Sequence, residues 1–73
     1  HFAAGKREKL SKGDILGFLT QVCGLQATEV GLIEVKDHYS YAAIARKRIG
    51  EVLRTAQTEK IKGRRIKVNR ASE

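Results

Sequence analysis

The sequence predicts an α+β fold: one four-stranded antiparallel sheet with two helices packed on a single face. Three observations carry that expectation. Apolar residues recur at spacings of three and four over residues 15–23 and again over 49–56. Apolar and polar residues alternate over 30–35, 39–45 and 65–68. Glycines and polar turns separate these stretches, and proline is absent. With 73 residues and 41% hydrophobic content the composition is globular and enough for one domain. A chain of this size buries roughly 60% of its unfolded surface, so its core is thin.

Taken in order, residues 1–4 form a short extended segment before Gly5, read as the first strand. Ser11 and Asp14 have the spacing of a capping box and open a helix. Ile15, Leu16, Phe18, Leu19, Val22 and Cys23 give that helix an apolar stripe, and Gly24 is placed to end it. Gly17 within it costs about 1 kcal/mol against alanine, which suggests close packing there. Val30–Val35 and residues 39–45 make a hairpin around Lys36, Asp37 and His38. Ser40, Ala42 and Ile44 point to one side of the return strand, Tyr39, Tyr41 and Ala43 to the other. Residues 46–58 form the second helix, with Ile49, Val52, Leu53 and Ala56 at i, i+3, i+4 and i+7. Residues 65–68 form the last strand, Ile66 and Val68 inward, Arg65 and Lys67 outward.

The resulting order, β-α-β-β-α-β, is that of a ferredoxin-like sandwich. Its expected core is Phe2, Ile15, Leu19, Val22, Ile33, Val35, Ala42, Ile44, Ile49, Val52, Leu53, Ile66 and Val68, with the other sheet face open to solvent.

Charge narrows the function. The net charge is +7, and it is sorted along the chain. Residues 1–12 hold four basic groups against one acidic, residues 13–45 one against four, and residues 46–70 ten against two. Such sorting points to a polyanion-binding surface. Cys23 is the lone cysteine, so no internal disulfide or zinc cage staples the fold, which fits a reducing, cytoplasmic setting. No apolar run approaches the roughly 20 residues of a membrane span, and no membrane partner or signal peptide is expected. The start without methionine suggests a piece of a longer chain, with His1 a remnant of cloning. His1 and His38 have no nucleophile arranged with them, so no enzyme and no catalytic residue is expected in this chain.

Gly63-Arg64-Arg65-Ile66-Lys67-Val68-Asn69-Arg70-Ala71 resembles the last strand of RNA-recognition-motif (RRM) domains, and residues 37–44, with Tyr39 and Tyr41, look like a degenerate form of their RNP1 strand. Gly5-Lys6-Arg7-Glu8-Lys9-Leu10, Gly13-Asp14-Ile15-Leu16-Gly17, Val30-Gly31-Leu32-Ile33, Ser40-Tyr41 and Lys60-Ile61-Lys62-Gly63, in that order, are similar to the C-terminal RNA-binding domain of bacterial DbpA-type DEAD-box RNA helicases. The resemblance implies an RRM-like RNA-binding domain over residues 1–73 that tethers a covalently linked helicase core to structured, ribosomal RNA in ribosome assembly or RNA remodelling. It also implies a monomer without cofactor of its own, ATP and magnesium belonging to the helicase core. The chain carries neither a P-loop nor an Asp-Glu-Ala-Asp motif.

Topology independently selects a surface. In the expected sheet, the loop after the first strand, the hairpin turn and the lead-in to the last strand lie at one end. That gathers Lys6, Arg7, Lys9 and Lys12 with Lys36 and with Lys60, Lys62 and Arg64. Tyr39, Tyr41, Arg65 and Lys67 complete the expected RNA-binding set on the open sheet face. Arg46, Lys47 and Arg48 fall at the opposite end, as a solvated helix start. The competing expectation is a protein-interaction module using Phe18 and Leu32 as exposed apolar anchors.

Overall fold

The computed structural model describes residues 1–70; Ala71 of the terminal motif lies outside them. Helix α1 (Lys12–Gly17) runs directly into a π-helical turn (Phe18–Val22). Strands β1 (Val30–Val35) and β2 (Ser40–Ile44) follow, then helix α2 (Ile49–Thr58). Short 3₁₀ turns lie at Lys6–Glu8, Ala27–Glu29 and Arg46–Arg48.

The four-stranded sheet expected from the sequence is not formed. Among the described residues the sheet has two strands, β1 and β2, antiparallel, with Ile33 opposite Ala42, Glu34 opposite Tyr41 and Val35 opposite Ser40. A bulge between Val30 and Ile33 shifts the register. Among the described residues the first segment pairs with its neighbours through isolated bridges at Phe2, to Ser40 and to Val68. Phe2 and Ser40 exchange both backbone hydrogen bonds, at 2.8 and 2.9 Å. On the other side, the Ala3 amide donates to Lys67 and the Asn69 amide to His1, each at 2.9 Å. An antiparallel ladder lengthens only by repeating such pairs every two residues. Residues 1–4 supply one pair per side before the chain turns away at Gly5, so neither they nor residues 65–68 become strands. The fold is therefore a small α+β domain: a hairpin, two helices and two bridged extended segments.

Local chemistry explains the elements that do form. The Ser11 hydroxyl accepts from the Asp14 amide at 3.2 Å and the Asp14 carboxylate accepts from the Ser11 amide at 2.8 Å, the reciprocal cap read from the sequence. After Gly17 the helix widens, and the Cys23 amide donates to the Phe18 carbonyl, five residues back, at 3.0 Å. Gly24, at φ +76°, then turns the chain so that the Leu25 amide reaches the Leu19 carbonyl. Gly17 is not closely packed: a Cβ there would meet nothing within 4 Å.

Phe2, Ala4, Leu10, Ile15, Phe18, Leu19, Cys23, Leu25, Ile33, Val52, Ile61 and Ile66 form the buried core. Val35, Ala42, Ile44, Ile49, Leu53 and Val68, all expected inside, are half-buried at its margin. Val22 is the one misplaced core residue, at 44% exposure. The wider π turn rotates Cys23 into the position on the stripe that Val22 would hold in a regular α-helix. Phe18, read as an exposed anchor, is buried at 4%, whereas Leu32 is 65% exposed.

Candidate nucleic-acid interface

The loop carrying Lys6, Arg7, Lys9 and Lys12 is fixed by backbone bonds. The Lys6 amide donates to the Lys36 carbonyl at 2.8 Å and the Arg7 amide to the Asp37 carbonyl at 2.9 Å. Gly5 is what permits this approach, since a Cβ there would collide with the Lys36 carbonyl oxygen and lie 2.8 to 2.9 Å from the Asp37 carbonyl group. The His38 ring nitrogen sits 3.3 Å from the Glu8 carboxylate, a second tie between the same two segments. Lys6, Arg7 and Lys36 are thus brought together.

The lead-in to the last segment also arrives here. Ile61 and Arg64 exchange backbone hydrogen bonds across a two-residue turn in which Lys62 and Gly63 both have positive φ, 52° and 75°. The Lys62 ammonium then donates to the Lys9 carbonyl at 2.8 Å and to the Asp14 carboxylate at 3.3 Å. Lys9 and Lys62, the non-glycine residues with left-handed backbone, are therefore in direct contact. Asp14 titrates below the usual carboxylate range. The Ser11 amide is the main cause, followed by the Ser11 hydroxyl and then Lys62.

The cations differ in how far they are spoken for. Lys36 pairs with Glu34 at 3.2 Å, and Lys62 with Asp14. Lys6, Arg7, Lys9, Lys12, Lys60, Arg64, Arg65 and Lys67 are all exposed and enter no ion pair among the described residues. Lys6, Lys9 and Lys12 rim an open cleft of about 470 Å³ whose floor is Leu10, Ile33 and Val35. Arg65 and Lys67 lie elsewhere, along a groove with Ala56, Gln57 and Asn69. The Arg46–Arg48 turn is not a uniform solvated patch. Arg48 is clamped by Glu51 at 2.9 Å, by Glu29 at 3.5 Å and by the Gly24 carbonyl at 3.4 Å, while Arg46 and Lys47 are exposed.

On the outer face of the hairpin, Tyr39 and Tyr41 meet edge to face with ring centroids 5.3 Å apart. The His1 ring stacks on Tyr39 at 5.8 Å and abuts Tyr41 at 5.2 Å. Both tyrosines are about 40% exposed, so this cluster offers ring surface to solvent. Sequence reasoning missed Leu10, Ser11, Ile33 and Val35 as lining residues. The one signal was Leu10 as an apolar residue set among four cations.

The family described as the DbpA RNA binding domain matches residues 1–70, nearly the whole chain. The chain belongs to that family. Two curated relatives agree, both named ATP-dependent RNA helicase DbpA. The Bacillus subtilis (strain 168) protein is 30% identical over 73 residues, all of this chain and 15% of its own length. The Escherichia coli (strain K12) protein is 34% identical over 64 residues, 88% of this chain and 14% of its own length. The chain thus spans about one seventh of the relatives it matches.

Proposed function

We propose that this domain binds structured RNA through the cationic loop end and holds an ATP-dependent RNA helicase, of which it is a part, on that RNA. Ribosomal RNA is the substrate class, with a role in ribosome assembly or RNA remodelling. The observation that carries the reading is the loop of Lys6, Arg7, Lys9 and Lys12. The Lys6 and Arg7 amides bond to the hairpin turn, so the backbone of the loop is set before any ligand arrives, and its four cations enter no ion pair among the described residues. Family membership and the names of the two relatives support RNA as the polyanion. The Tyr39–Tyr41 face supplies a neighbouring surface for an unpaired base. In this reading the domain is a cytoplasmic monomer that performs no chemistry, and ATP and magnesium are used elsewhere in the parent protein.

Electrophoretic mobility shift with a ribosomal RNA hairpin tests the proposal. Neutralising roughly three phosphates gives a log–log salt slope near −2 to −3, from about −0.7 to −0.9 per contact. The chain alone should hydrolyse no ATP. Absence of a shift at low salt, or binding indifferent to salt, would count against RNA contact through this loop.

A further inference from the structure

We infer that the outer edge of the 65–68 segment takes up an extended acidic peptide of a partner protein as one more antiparallel strand. The inference stands apart from the RNA reading, because this edge does not line the lysine-rimmed cleft of the 6–12 loop. The pleat sorts the backbone groups of the segment. The Lys67 carbonyl accepts from Ala3 and the Asn69 amide donates to the His1 carbonyl, both at 2.9 Å, so these two positions face residues 1–4. Ile66 and Val68 alternate with them and face the opposite way. Neither enters a backbone hydrogen bond among the described residues. Arg64 faces the same way as Ile66 and exchanges both bonds with Ile61, at 2.8 and 3.0 Å. The edge is therefore paired antiparallel at its head and open over the next two positions. Helix α2 does not seal it. A groove of about 340 Å³ lies between residues 65–69 and Ala56 and Gln57 of α2, and residues 1–4, on the segment's other side, do not line it. The far edge of the sheet, that of β1, carries the bulge between Val30 and Ile33, which blunts it as a template.

The backbone says what class of partner fits. Ile66 and Val68 each present an amide and a carbonyl side by side, repeated after about 6.8 Å, which is the pattern that another polypeptide strand completes. The side chains say which strand. An added residue shares a face with the residue directly opposite it. Opposite Ile66, 8% exposed, and Val68, half-buried, it meets apolar surface beside Ala56. Opposite Arg65 and Lys67 it meets exposed cations that enter no ion pair among the described residues. The complement is a strand that alternates acidic and apolar residues. A second copy of this chain is a poor occupant: edge-to-edge pairing would set Arg65 and Lys67 against the same cations, in a chain of net charge +7.

The test titrates the chain with a blocked heptapeptide that alternates glutamate and valine, and follows backbone amide exchange by NMR. The Ile66 and Val68 amides should exchange quickly in the free chain and about tenfold more slowly, or slower still, with the peptide at saturation. The antiparallel geometry also says which peptide amides matter. The valines lie opposite Ile66 and Val68, so their amides face the edge while those of the glutamates face solvent. N-methylation of the valine amides should weaken binding about tenfold, the order of two lost hydrogen bonds. N-methylation of the glutamate amides should leave binding nearly unchanged. Lys67→Glu, an exposed substitution, should also weaken binding of the unmodified peptide. Four results overturn the inference. The first is no protection of Ile66 and Val68 by the peptide, or protection already complete without it. The second is equal binding of a peptide with the same residues in two blocks, which would mean charge attraction alone. The third is protection that grows with the concentration of the chain by itself, which would make the occupant a second copy. The fourth is protection of these amides by an RNA hairpin and not by the peptide, which would extend the RNA surface to this edge.

Discussion

Gly5 and Gly50 show how differently two glycines are used. Gly5 is buried where the 6–12 loop docks on the hairpin turn, and a methyl group there would overlap the Lys36 carbonyl. Gly50 lies on α2 with nothing within 4 Å of an added Cβ. Gly5→Ala should therefore cost about 1–3 kcal/mol, as overpacking does. Gly50→Ala should stabilise by about 0.4–1 kcal/mol, chiefly by restricting the unfolded chain. Urea denaturation of both variants measures this, and equal effects would mean that the loop docks differently. A second residue-scale test concerns Asp14, whose folded pKa is depressed by Ser11 first and Lys62 last. As pH falls the unfolded chain takes up its proton before the folded one. The stabilisation is thus full above about pH 4, the unfolded value, and is lost as pH falls through the lower folded value. Asp14→Asn, a mimic of the protonated acid, should be less stable than the parent at pH 7, and the gap should close below pH 4. A gap unchanged at low pH would assign the effect to something other than charge.

At the scale of elements, α2 gives the most direct test of the core. Val52 is 1% exposed, whereas its neighbour Leu53 is half-buried beside Ala42 and Ile44. Val52→Ala should cost about 2 kcal/mol, two buried methyl groups with a cavity left behind. Leu53→Ala should cost less than the roughly 2–5 kcal/mol of a fully buried leucine. Midpoints shifted at constant m-value check the ranking. The helix face was legible in the sequence because its period is local, and the hairpin likewise, since Ile33–Val35 and Ser40–Ala42 alternate in register; the bulge between Val30 and Ile33 was not. The breadth of the sheet was not, because it depends on how far residues 1–4 pair with segments 36 and more residues away. The Val22–Cys23 exchange was also invisible: nothing in residue type marks the π turn that causes it. Leu10, Leu25 and Ile61 are buried from irregular segments, where no period announces them. The cations of the candidate site could be read from charge. Which of them are already paired, as Lys36 and Lys62 are, is a property of the folded chain only.

For the whole molecule, the question is whether RNA feels a general field or a particular surface. A net charge of +7 would attract any polyanion, and a diffuse field predicts that equal charge losses weaken binding equally wherever they are made. The docked loop predicts otherwise. Lys6→Gln, Arg7→Gln and Lys9→Gln together remove three exposed cations of the 6–12 segment that enter no ion pair among the described residues. Arg48 is unsuitable for the control, because it clamps Glu29, Glu51 and the Gly24 carbonyl. Its loss would disturb the fold. Arg46→Gln, Lys47→Gln and Arg54→Gln instead remove three exposed cations that enter no ion pair among the described residues and do not line the cleft. Both triple variants have a net charge of +4 and should keep the parent circular dichroism. Local contact predicts a much larger affinity loss for the loop variant, together with a log–log salt slope shallower by about two, since fewer counterions are released on binding. The control should retain the parent slope and lose only the small share due to the weaker field. Equal losses in the two variants would leave the chain a general polycation for RNA and would remove the loop from its binding surface.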